Sequence, residues 1–285
     1  MEPLLSVIIP AYNEAERIGP SLDSILSFLS SQPYKSEVVV VDDGSSDGTG
    51  TVVASHSDQY QKAGIGLRVL TNVPNAGKGY SVKRGVKEAR GEIVLFTDAD
   101  LSSPITEAPK LIDPIRHGST DVVIGSRGLD RSLIGVHQPG LRELRGRVSN
   151  LLIRMMTGLP FKDTQCGFKA FRRKEALPAF LQQRIKGFGF DPELLFILAK
   201  HGLRSIEVPV VWNHCEGSKV GYFLDSLKCL TDLFVIRLNN IAGRYPTPGE
   251  SDLAIGSASA MPARAAANAA KQGGGAITTD DPVKR

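Results

Sequence analysis

Two aspartates stand two residues apart in the first half of this chain, directly after an apolar segment. The run 93–96 is Ile-Val-Leu-Phe and predicts a strand buried on both faces, with Asp98 and Asp100 at its carboxyl end. Two carboxylates on one face of an extended segment repel each other unless a cation lies between them. A divalent metal is the simplest explanation, and it would in turn indicate a phosphate ligand. Because acidic pairs also open turns, the motif alone leaves both interpretations open.

Apolar, β-branched segments alternate with segments of helical periodicity around this motif. Strands are predicted at 5–10, 37–41, 67–71, 92–97 and 121–125, and helices at 16–29, 48–63, 78–89 and 105–117. This alternation predicts an α/β fold with a mainly parallel central sheet and helices on both faces. Ligands of such sheets bind beyond the carboxyl ends of the strands.

Chemically capable residues follow each predicted strand. They are Pro10, Tyr12 and Glu14, then Asp42 and Asp43, then Lys78, then Asp98 and Asp100, and last Arg127. Each could be an ordinary turn or cap residue, but their coincidence at one edge of a sheet predicts a binding site. The sequence has no G-x-G-x-x-G after its first strand and no G-x-x-x-x-G-K-[ST], which disfavours dinucleotide and P-loop sites.

Composition restricts the class of protein. A hydrophobic content of 41% with 22% charged residues is typical of a soluble globular chain. No apolar stretch is long enough to cross a bilayer and no signal peptide is evident, so we expect a cytoplasmic protein. The three cysteines have no C-x-x-C spacing, which argues against a disulfide framework or a structural zinc site.

The second half is more basic. Segment 127–154 holds six arginines against two acidic residues, which indicates phosphate, anionic lipid or nucleic acid unless it is a solvated helix face. Amphipathic helices are predicted at 141–159 and 222–241, and either can pack on the sheet or lie in a membrane interface. Three further elements are predicted. Residues 163–171 form a loop that leads into a strand, a helix runs from about 193 to 201, and a strand lies at 206–212.

The motifs in combination resemble family 2 glycosyltransferases of the GT-A fold, and among them the polyprenyl-phosphate hexose synthases, over about residues 4–244. The matching motifs are Pro10-x-Tyr12-Asn13-Glu14, Val41-Asp42-Asp43-Gly44-Ser45-x-Asp47-Gly48-Thr49, Asn75-x-Gly77-Lys78-Gly79, Asp98-x-Asp100, Gly125-Ser126-Arg127 and Gly217-Ser218-Lys219-Val220. The runs Thr164–Lys169 and Gly189–Glu193 are more similar to the glucosyl branch than to the mannosyl branch.

The resemblance implies a role for each part of this edge. Nucleoside binding is implied for Pro10, Tyr12, Glu14, Asp42, Asp43 and Lys78, with Asp98 at the nucleotide diphosphate. Binding of Mg²⁺ or Mn²⁺ is implied for Asp98, Asp100 and Ser102, and catalysis for Asp98, Asp100, Arg127 and Lys219. Contacts to the sugar and acceptor are implied for Gln165, Asp191, Arg127, Arg142, Arg145, Ser218 and Lys219.

The implied enzyme is an inverting glycosyltransferase that moves a hexose from a UDP-sugar to a polyprenyl phosphate. Glucose is the favoured hexose. Its nucleophile is already anionic, so the site needs cations rather than a general base. Transfer of mannose from GDP-mannose and transfer to another acceptor remain alternatives. From other classes, a nucleotidyltransferase and a non-catalytic lipid- or nucleic-acid-binding module remain. A nucleotidyltransferase is disfavoured because no Gly-rich basic loop follows the first strand, and a binding module would leave the acidic edge unexplained.

The expected organisation is a glycosyltransferase domain at 1–245 and a disordered tail at 246–285. The domain divides into a Rossmann-like nucleotide-sugar half, 1–127, and an acceptor half with amphipathic helices, 128–245. The tail is rich in Ala, Gly and Ser and contains no aromatic residue, so it buries too little apolar area to offset its ordering entropy. Enzymes of the resembled family carry terminal membrane anchors, and we expect none in this sequence. We therefore expect peripheral contact with a membrane at its cytosolic face, and no nucleic-acid partner.

Overall fold

Strands and helices alternate through the first half of the structure, a computed structural model that describes residues 2–136, 140–213 and 224–249. The elements are β1 Leu5–Ala11, α1 Ala15–Ser30, β2 Ser36–Asp42, α2 Thr49–Ser55, α3 Ser57–Lys62, β3 Gly66–Thr71, α4 Lys78–Glu88, β4 Ile93–Thr97, α5 Ala108–Arg116 and β5 Val122–Ser126. The single helix predicted at 48–63 divides at His56. There the backbone N–H donates to the carbonyl of Val53, three residues back, and this tighter turn separates α2 from α3.

The second half contains elements that the sequence patterns did not predict. The elements are β6 Ile134–Val136, α6 Gly140–Thr157, β7 Phe168–Arg172, α7 Arg173–Gln182, α8 Phe190–Lys200, β8 Ser205–Pro209, β9 Trp212–Asn213 and α9 Leu224–Ile241. β6 and α7 were not predicted, and the strand predicted at 206–212 is divided between two sheets. β8 joins the main sheet, whereas β9 pairs with β6 in a separate two-stranded sheet.

The main sheet has seven strands in the order β3-β2-β1-β4-β7-β5-β8. β3, β2, β1 and β4 are mutually parallel, as are β5 and β8. β7 runs antiparallel between β4 and β5, so those two strands are not neighbours. The predicted mainly parallel sheet is therefore confirmed, with one antiparallel strand, β7, inserted next to its central strand β4.

Two apolar cores cover the two faces of this sheet. Alternate residues of β1, β2 and β4 pack toward α4, α7 and α8 on one face and toward α1 and α5 on the other. Ile8 and Val39 belong to the first core, and Val7 and Val38 to the second. Burial on both faces explains the continuous apolar runs of these strands, since each large side chain removed from water contributes about 1.5–3 kcal/mol. No helix among the described residues is both long and apolar enough to cross a membrane.

A buried carboxylate fastens the end of the unit Met1–Tyr245 to its core. Glu193 is fully buried in α8 and accepts hydrogen bonds from the backbone of Arg184 and Ile185. It also accepts a hydrogen bond from the Tyr245 hydroxyl at 2.6 Å, and that hydroxyl in turn accepts one from Asn239 at 3.0 Å. Burial raises the pKa of Glu193, against the opposing effect of these hydrogen bonds.

The predicted domain bounds remain predictions, and residues 250–285 of the predicted tail lie outside the described part of the chain.

Removing the Tyr245 hydroxyl should destabilise the fold. Tyr245→Phe deprives Glu193 and Asn239 of a buried partner, so the free energy of unfolding should fall by about 1–3 kcal/mol. Urea denaturation measures the loss. Tyr34→Phe is the matched control, since Tyr34 is only half-buried and its ring stacks with Arg116. Equal stability of the two variants would contradict the role given to the hydroxyl.

Candidate active site

The candidate site lies where the strand order reverses. The chain leaves β1 toward β2 and β3 and then returns to β4 on the other side of β1. Loops that follow two such strands diverge and leave a crevice at their carboxyl ends. Glu14 follows β1, and Asp98 and Asp100 follow β4. The topology therefore carries the acids predicted from the sequence to one edge of the sheet.

Asp98 forms an ion pair with Lys78. The distance from Lys78 Nζ to Asp98 Oδ1 is 2.6 Å, and both side chains are partly exposed. Burial acts to lower the pKa of Lys78, but the carboxylates of Asp98 and Asp191 outweigh it and hold that pKa above its usual value. The ammonium lies 5.5 Å from the centre of the Phe96 ring. Lys78 is thus a fixed cation that an anionic ligand reaching Asp98 would meet.

The backbone of Gly167 forms a wall against the Asp98 carboxylate. A Cβ on Gly167 would lie 2.5 Å from Cγ and 2.7 Å from Oδ1 of Asp98, so no other residue fits without displacing that side chain. Gly167 directly precedes β7, the antiparallel neighbour of β4. The inserted strand therefore shapes the site.

Asp100 lies beside a second cation, Arg17. Arg17 Nη1 is 3.8 Å from Asp100 Oδ2, and the guanidinium also makes two hydrogen bonds of 2.7 Å to Glu14. Asp100 Oδ1 accepts a hydrogen bond from the backbone of Ser102 at 3.0 Å. Leu101 between them has a φ of 47°, in the left-handed region. Arg17 on α1 thus connects the loops after β1 and β4.

The two acids at the end of β2, Asp42 and Asp43, are buried and accept hydrogen bonds from the protein itself. Asp43 is buried, and its carboxylate accepts hydrogen bonds from the Asn72 amide and from the backbone of Ala76 and Gly77. Asp42, also buried, accepts one from the backbone of Ser45 at 3.0 Å. Asp43 therefore shapes the loop that ends at Lys78. The nucleoside-binding role expected for both acids remains a prediction.

Arg127, at the end of β5, is held by Asp163. Two side-chain hydrogen bonds of 2.6 Å and 2.8 Å join them, and the backbone N–H of Arg127 adds a third of 3.0 Å. Burial acts to raise the pKa of Asp163, but the charge and hydrogen bonds of Arg127 outweigh it and the pKa is lowered. The guanidinium lies 5.5 Å from the centre of the Trp212 ring. Arg127 is accordingly a preorganised cation.

Asp191, expected to contact sugar or acceptor, is buried beneath the site. Its Oδ1 lies 2.5 Å from Nζ of Lys169, which is fully buried in β7. Burial raises the pKa of Asp191, against the opposing charges of Lys169 and Lys78. The charges of Lys78 and Asp98 both act on the Asp191 carboxylate.

The other predicted residues are distributed as follows. Pro10 is buried within β1, Tyr12 is exposed after it, and Gln165 is half-buried close to Gly167. The side chains of Arg142 and Arg145, and the whole of Ser218 and Lys219, lie outside the part of the structure that is described. Their expected roles remain predictions.

The sequence reasoning assigned no role to four residues that the structure brings into contact with the site, namely Arg17, Asp163, Gly167 and Lys169. The spacing of Glu14 and Arg17 is a signal for the first, because residues three apart on a helix are neighbours. Gly167 and Lys169 lie in the run Thr164–Lys169 that carries part of the family resemblance, but no local pattern gives them or Asp163 a role, because their contacts join residues far apart in the sequence.

The acids suit a metal that is shared with a phosphate ligand. Among the described residues, no three acidic, histidine or cysteine side chains form a cluster that would hold a metal unaided. Asp98 and Asp100 offer hard oxygen donors from one loop, and Mg²⁺ is commonly held by one or two carboxylates together with substrate phosphates and water. Asp98 and Asp100 therefore fit a metal that is held by two carboxylates together with the phosphates of a substrate.

Comparison with protein families and sequences gives consistent matches. The family model described as Glycosyl transferase family 2 matches residues 6–177. The dolichyl-phosphate β-glucosyltransferase of Saccharomyces cerevisiae is 35% identical over 264 residues, covering 86% of this chain and 77% of the relative. The human enzyme of the same name is 33% identical over 252 residues, covering 85% and 77%. A Trichomonas vaginalis relative, ALG5D, is 35% identical over 225 residues, covering 76% and 68%.

Solved structures match the fold. Glucosyl-3-phosphoglycerate synthase from Mycobacterium tuberculosis, in complex with UDP, superposes with a TM-score of 0.59 at 23% identity, covering 82% of this chain and 80% of that one. The same protein with Mn²⁺, UDP-glucose and phosphoglyceric acid gives a TM-score of 0.58 at 22% identity, covering 82% and 79%. These likenesses confirm the predicted GT-A fold.

Replacement of Asp43 should separate its structural role from nucleoside binding. Asp43→Asn puts an amide where three donors now converge, so the free energy of unfolding should fall by about 1–3 kcal/mol. Asp42→Asn, the control, disturbs one hydrogen bond and should cost about 1 kcal/mol or less. Chemical denaturation gives both values. An Asp43→Asn protein of wild-type stability that has lost UDP affinity would instead support the nucleoside role.

Proposed function

Since this chain belongs to glycosyl transferase family 2, we propose that it transfers glucose from UDP-glucose to a polyprenyl phosphate of the dolichyl type. The chain is a glycosyltransferase, and relatives named dolichyl-phosphate β-glucosyltransferase align over most of its length. The observation that carries the proposal is the arrangement of Asp98 and Asp100 with the cations Lys78 and Arg17, in a chain with these relatives.

In the proposed reaction the lipid phosphate attacks the anomeric carbon of glucose in line with the departing UDP, which inverts that carbon. The oxygen–carbon bond to the acceptor forms while the bond to the UDP oxygen breaks. The acceptor is already anionic, so no general base is required. Arg127, held in place by Asp163, is the proposed cation for phosphate, because a guanidinium matches phosphate geometry.

The donor end of the site carries the diphosphate in this proposal. Lys78 places a persistent positive charge next to Asp98, where the diphosphate of the donor would lie. Asp98 and Asp100, with Ser102, would hold Mg²⁺ or Mn²⁺. When bound, such a metal neutralises charge on the leaving diphosphate.

The alternatives differ in donor and product. Incubation with radiolabelled UDP-glucose and a short polyprenyl phosphate, followed by organic extraction, should yield a lipid-soluble labelled product. Labelled GDP-mannose under the same conditions should yield much less. Label transferred only from GDP-mannose would identify the mannosyl alternative, and release of pyrophosphate would identify a nucleotidyltransferase. Failure of every donor would contradict the proposed activity.

Neutralising Asp100 should abolish turnover and preserve the fold. Asp100→Asn removes one negative charge from the proposed metal site, and such charge compensation contributes several kcal/mol to the transition state, so kcat should fall by about 10³-fold or more. The side chain lies in a loop and is partly exposed, so the melting temperature should change little. Glu16→Gln on the nearby helix α1 is the control. Near-normal activity of Asp100→Asn in saturating Mg²⁺ would remove the metal assignment.

We further propose that the enzyme meets its lipid acceptor peripherally, at the cytosolic face of a membrane. Helices α6 and α9 pack against each other. Together they present large exposed apolar side chains, here called the α6–α9 apolar surface, formed by Val148, Leu151, Met155, Phe234, Val235, Leu238 and Ile241. Apolar patches of this kind mark interaction sites.

The charges around this surface favour a lipid bilayer as its occupant. The exposed charged side chains described on these two helices are Arg154, Lys228 and Arg237, all cations. Basic residues near a membrane surface each add about 1 kcal/mol of attraction to anionic lipid. Apolar residues with cations beside them are typical of helices that lie in the interface.

Polar substitution on the α6–α9 apolar surface should weaken membrane binding. Leu238 and Ile241 are 64% and 81% exposed, so Leu238→Ser/Ile241→Ser should fold normally. The loss of buried alkyl groups, at about 0.8 kcal/mol each, should weaken binding to anionic liposomes at least tenfold in co-sedimentation. Val73→Ser, at a residue 86% exposed outside both helices, is the control. Unchanged binding of the double variant would exclude this surface as the lipid contact.

A further inference from the structure

Lys169 places an ammonium group in the centre of the sheet. It is fully buried in β7, where its neighbours across the two adjacent strands are Phe96 and Ile124. Nζ donates to the backbone carbonyl of Cys166 at 2.5 Å and to Asp191 Oδ1 at 2.5 Å. A central strand position of this kind ordinarily carries an apolar side chain.

Stability alone does not account for this charge. Burying an ion pair costs several kcal/mol of desolvation per ion, and replacing such a pair by apolar residues is often neutral or stabilising. An apolar residue at position 169 with a neutral one at 191 would therefore serve the core equally well. The contacts of Lys169 indicate what further effect the pair has on the site.

Both hydrogen-bond partners of Lys169, the Cys166 carbonyl and Asp191, are linked to a neighbour of Asp98. Through the Cys166 carbonyl, Lys169 fixes the peptide that joins Cys166 to Gly167, and Gly167 is the wall against the Asp98 carboxylate. Through Asp191, it shares a counter-ion with Lys78, which pairs with Asp98 at 2.6 Å. The Gly167 backbone and the Lys78 ammonium thus both adjoin the same carboxylate.

We propose that Lys169 is a positioning residue that holds Asp98 in the orientation required to bind a metal and the donor diphosphate. It touches neither ligand and acts through the Cys166–Gly167 peptide and through Asp191. The inference rests on the proposed function, because it takes Asp98 to be the donor-site carboxylate. Residues that orient metal ligands in this way typically change metal affinity by about 10- to 100-fold when replaced.

The test uses a variant without an unpaired buried charge. Lys169→Met/Asp191→Asn removes the whole ion pair and leaves no unpaired buried charge, so it should fold, with a melting temperature lowered only by the loss of the hydrogen bonds to the Cys166 carbonyl and Asp191. Calorimetric titration with UDP, with and without Mn²⁺, is the readout that needs no turnover. UDP affinity without metal should change by less than about threefold, whereas the gain in affinity on adding Mn²⁺ should fall at least tenfold.

Gly167→Ala provides an independent approach to the same carboxylate. Its methyl group displaces Asp98 directly, so it should reproduce the loss of the Mn²⁺-dependent gain. Combining Gly167→Ala with Lys169→Met/Asp191→Asn should cause little further loss of the Mn²⁺-dependent gain, because both changes act through the Asp98 carboxylate. Additive losses would indicate that the two changes act separately and would overturn the proposal.

The remaining outcomes are distinguishable. A folded Lys169→Met/Asp191→Asn protein with the full Mn²⁺-dependent gain would overturn the positioning role and make the pair purely structural. A wild-type protein whose UDP affinity ignores Mn²⁺ would overturn it as well. A wild-type protein that binds UDP with Mn²⁺ but transfers no glucose would contradict the proposed function and leave the positioning of Asp98 intact.

Discussion

The ion pair between Asp98 and Lys78 is the interaction on which the site depends. Its two members come from different elements: Asp98 directly follows β4, and Lys78 is the first residue of α4. Asp191 and Lys169 extend it into the interior, because Asp191 pairs with Lys169 and its charge also acts on Lys78. Removing Lys169 or Asp191 alone would leave the other as a buried charge without compensation, which is far more costly in the interior than in water. The arrangement therefore constrains β4, α4, β7 and α8 together.

Much of the fold follows from periodicity, because apolar strands and amphipathic helices alternate regularly up to β5. The position of β7 does not follow from it. The segment Phe168–Arg172 is an apolar strand by composition, but its insertion between β4 and β5 depends on contacts far apart in the sequence. Periodicity determines which face of an element is buried and leaves the choice of neighbouring strand open. Gly167 and Lys169 acquire their places near Asp98 only through that choice.

The site was predictable in its location and less so in the roles of individual acids. Asp43 and Asp98 both follow apolar strands and are equivalent as sequence signals. In the structure Asp43 receives hydrogen bonds from Asn72, Ala76 and Gly77, whereas Asp98 meets a cation at a partly exposed position. The difference comes from the loop that each acid meets. The backbone of Gly77, with a positive φ of 97°, lies between the N–H groups that donate to Asp43 and the Lys78 side chain that pairs with Asp98.

The loop between α7 and α8 joins this site to the helix that carries the α6–α9 apolar surface. At one end, Tyr80 N donates to the carbonyl of Lys186 at 3.1 Å, and a Cβ on Gly77 would lie 2.5 Å from that same oxygen. At the other end, a Cβ on Gly189 would lie 2.8 Å from the side chain of Asp232 in α9. Two close backbone approaches thus leave little room for α9 to move without moving this loop. The Phe188 ring between these two approaches lies 5.8 Å from Lys78 Nζ, so the loop that contacts α9 also contacts the cation paired with Asp98.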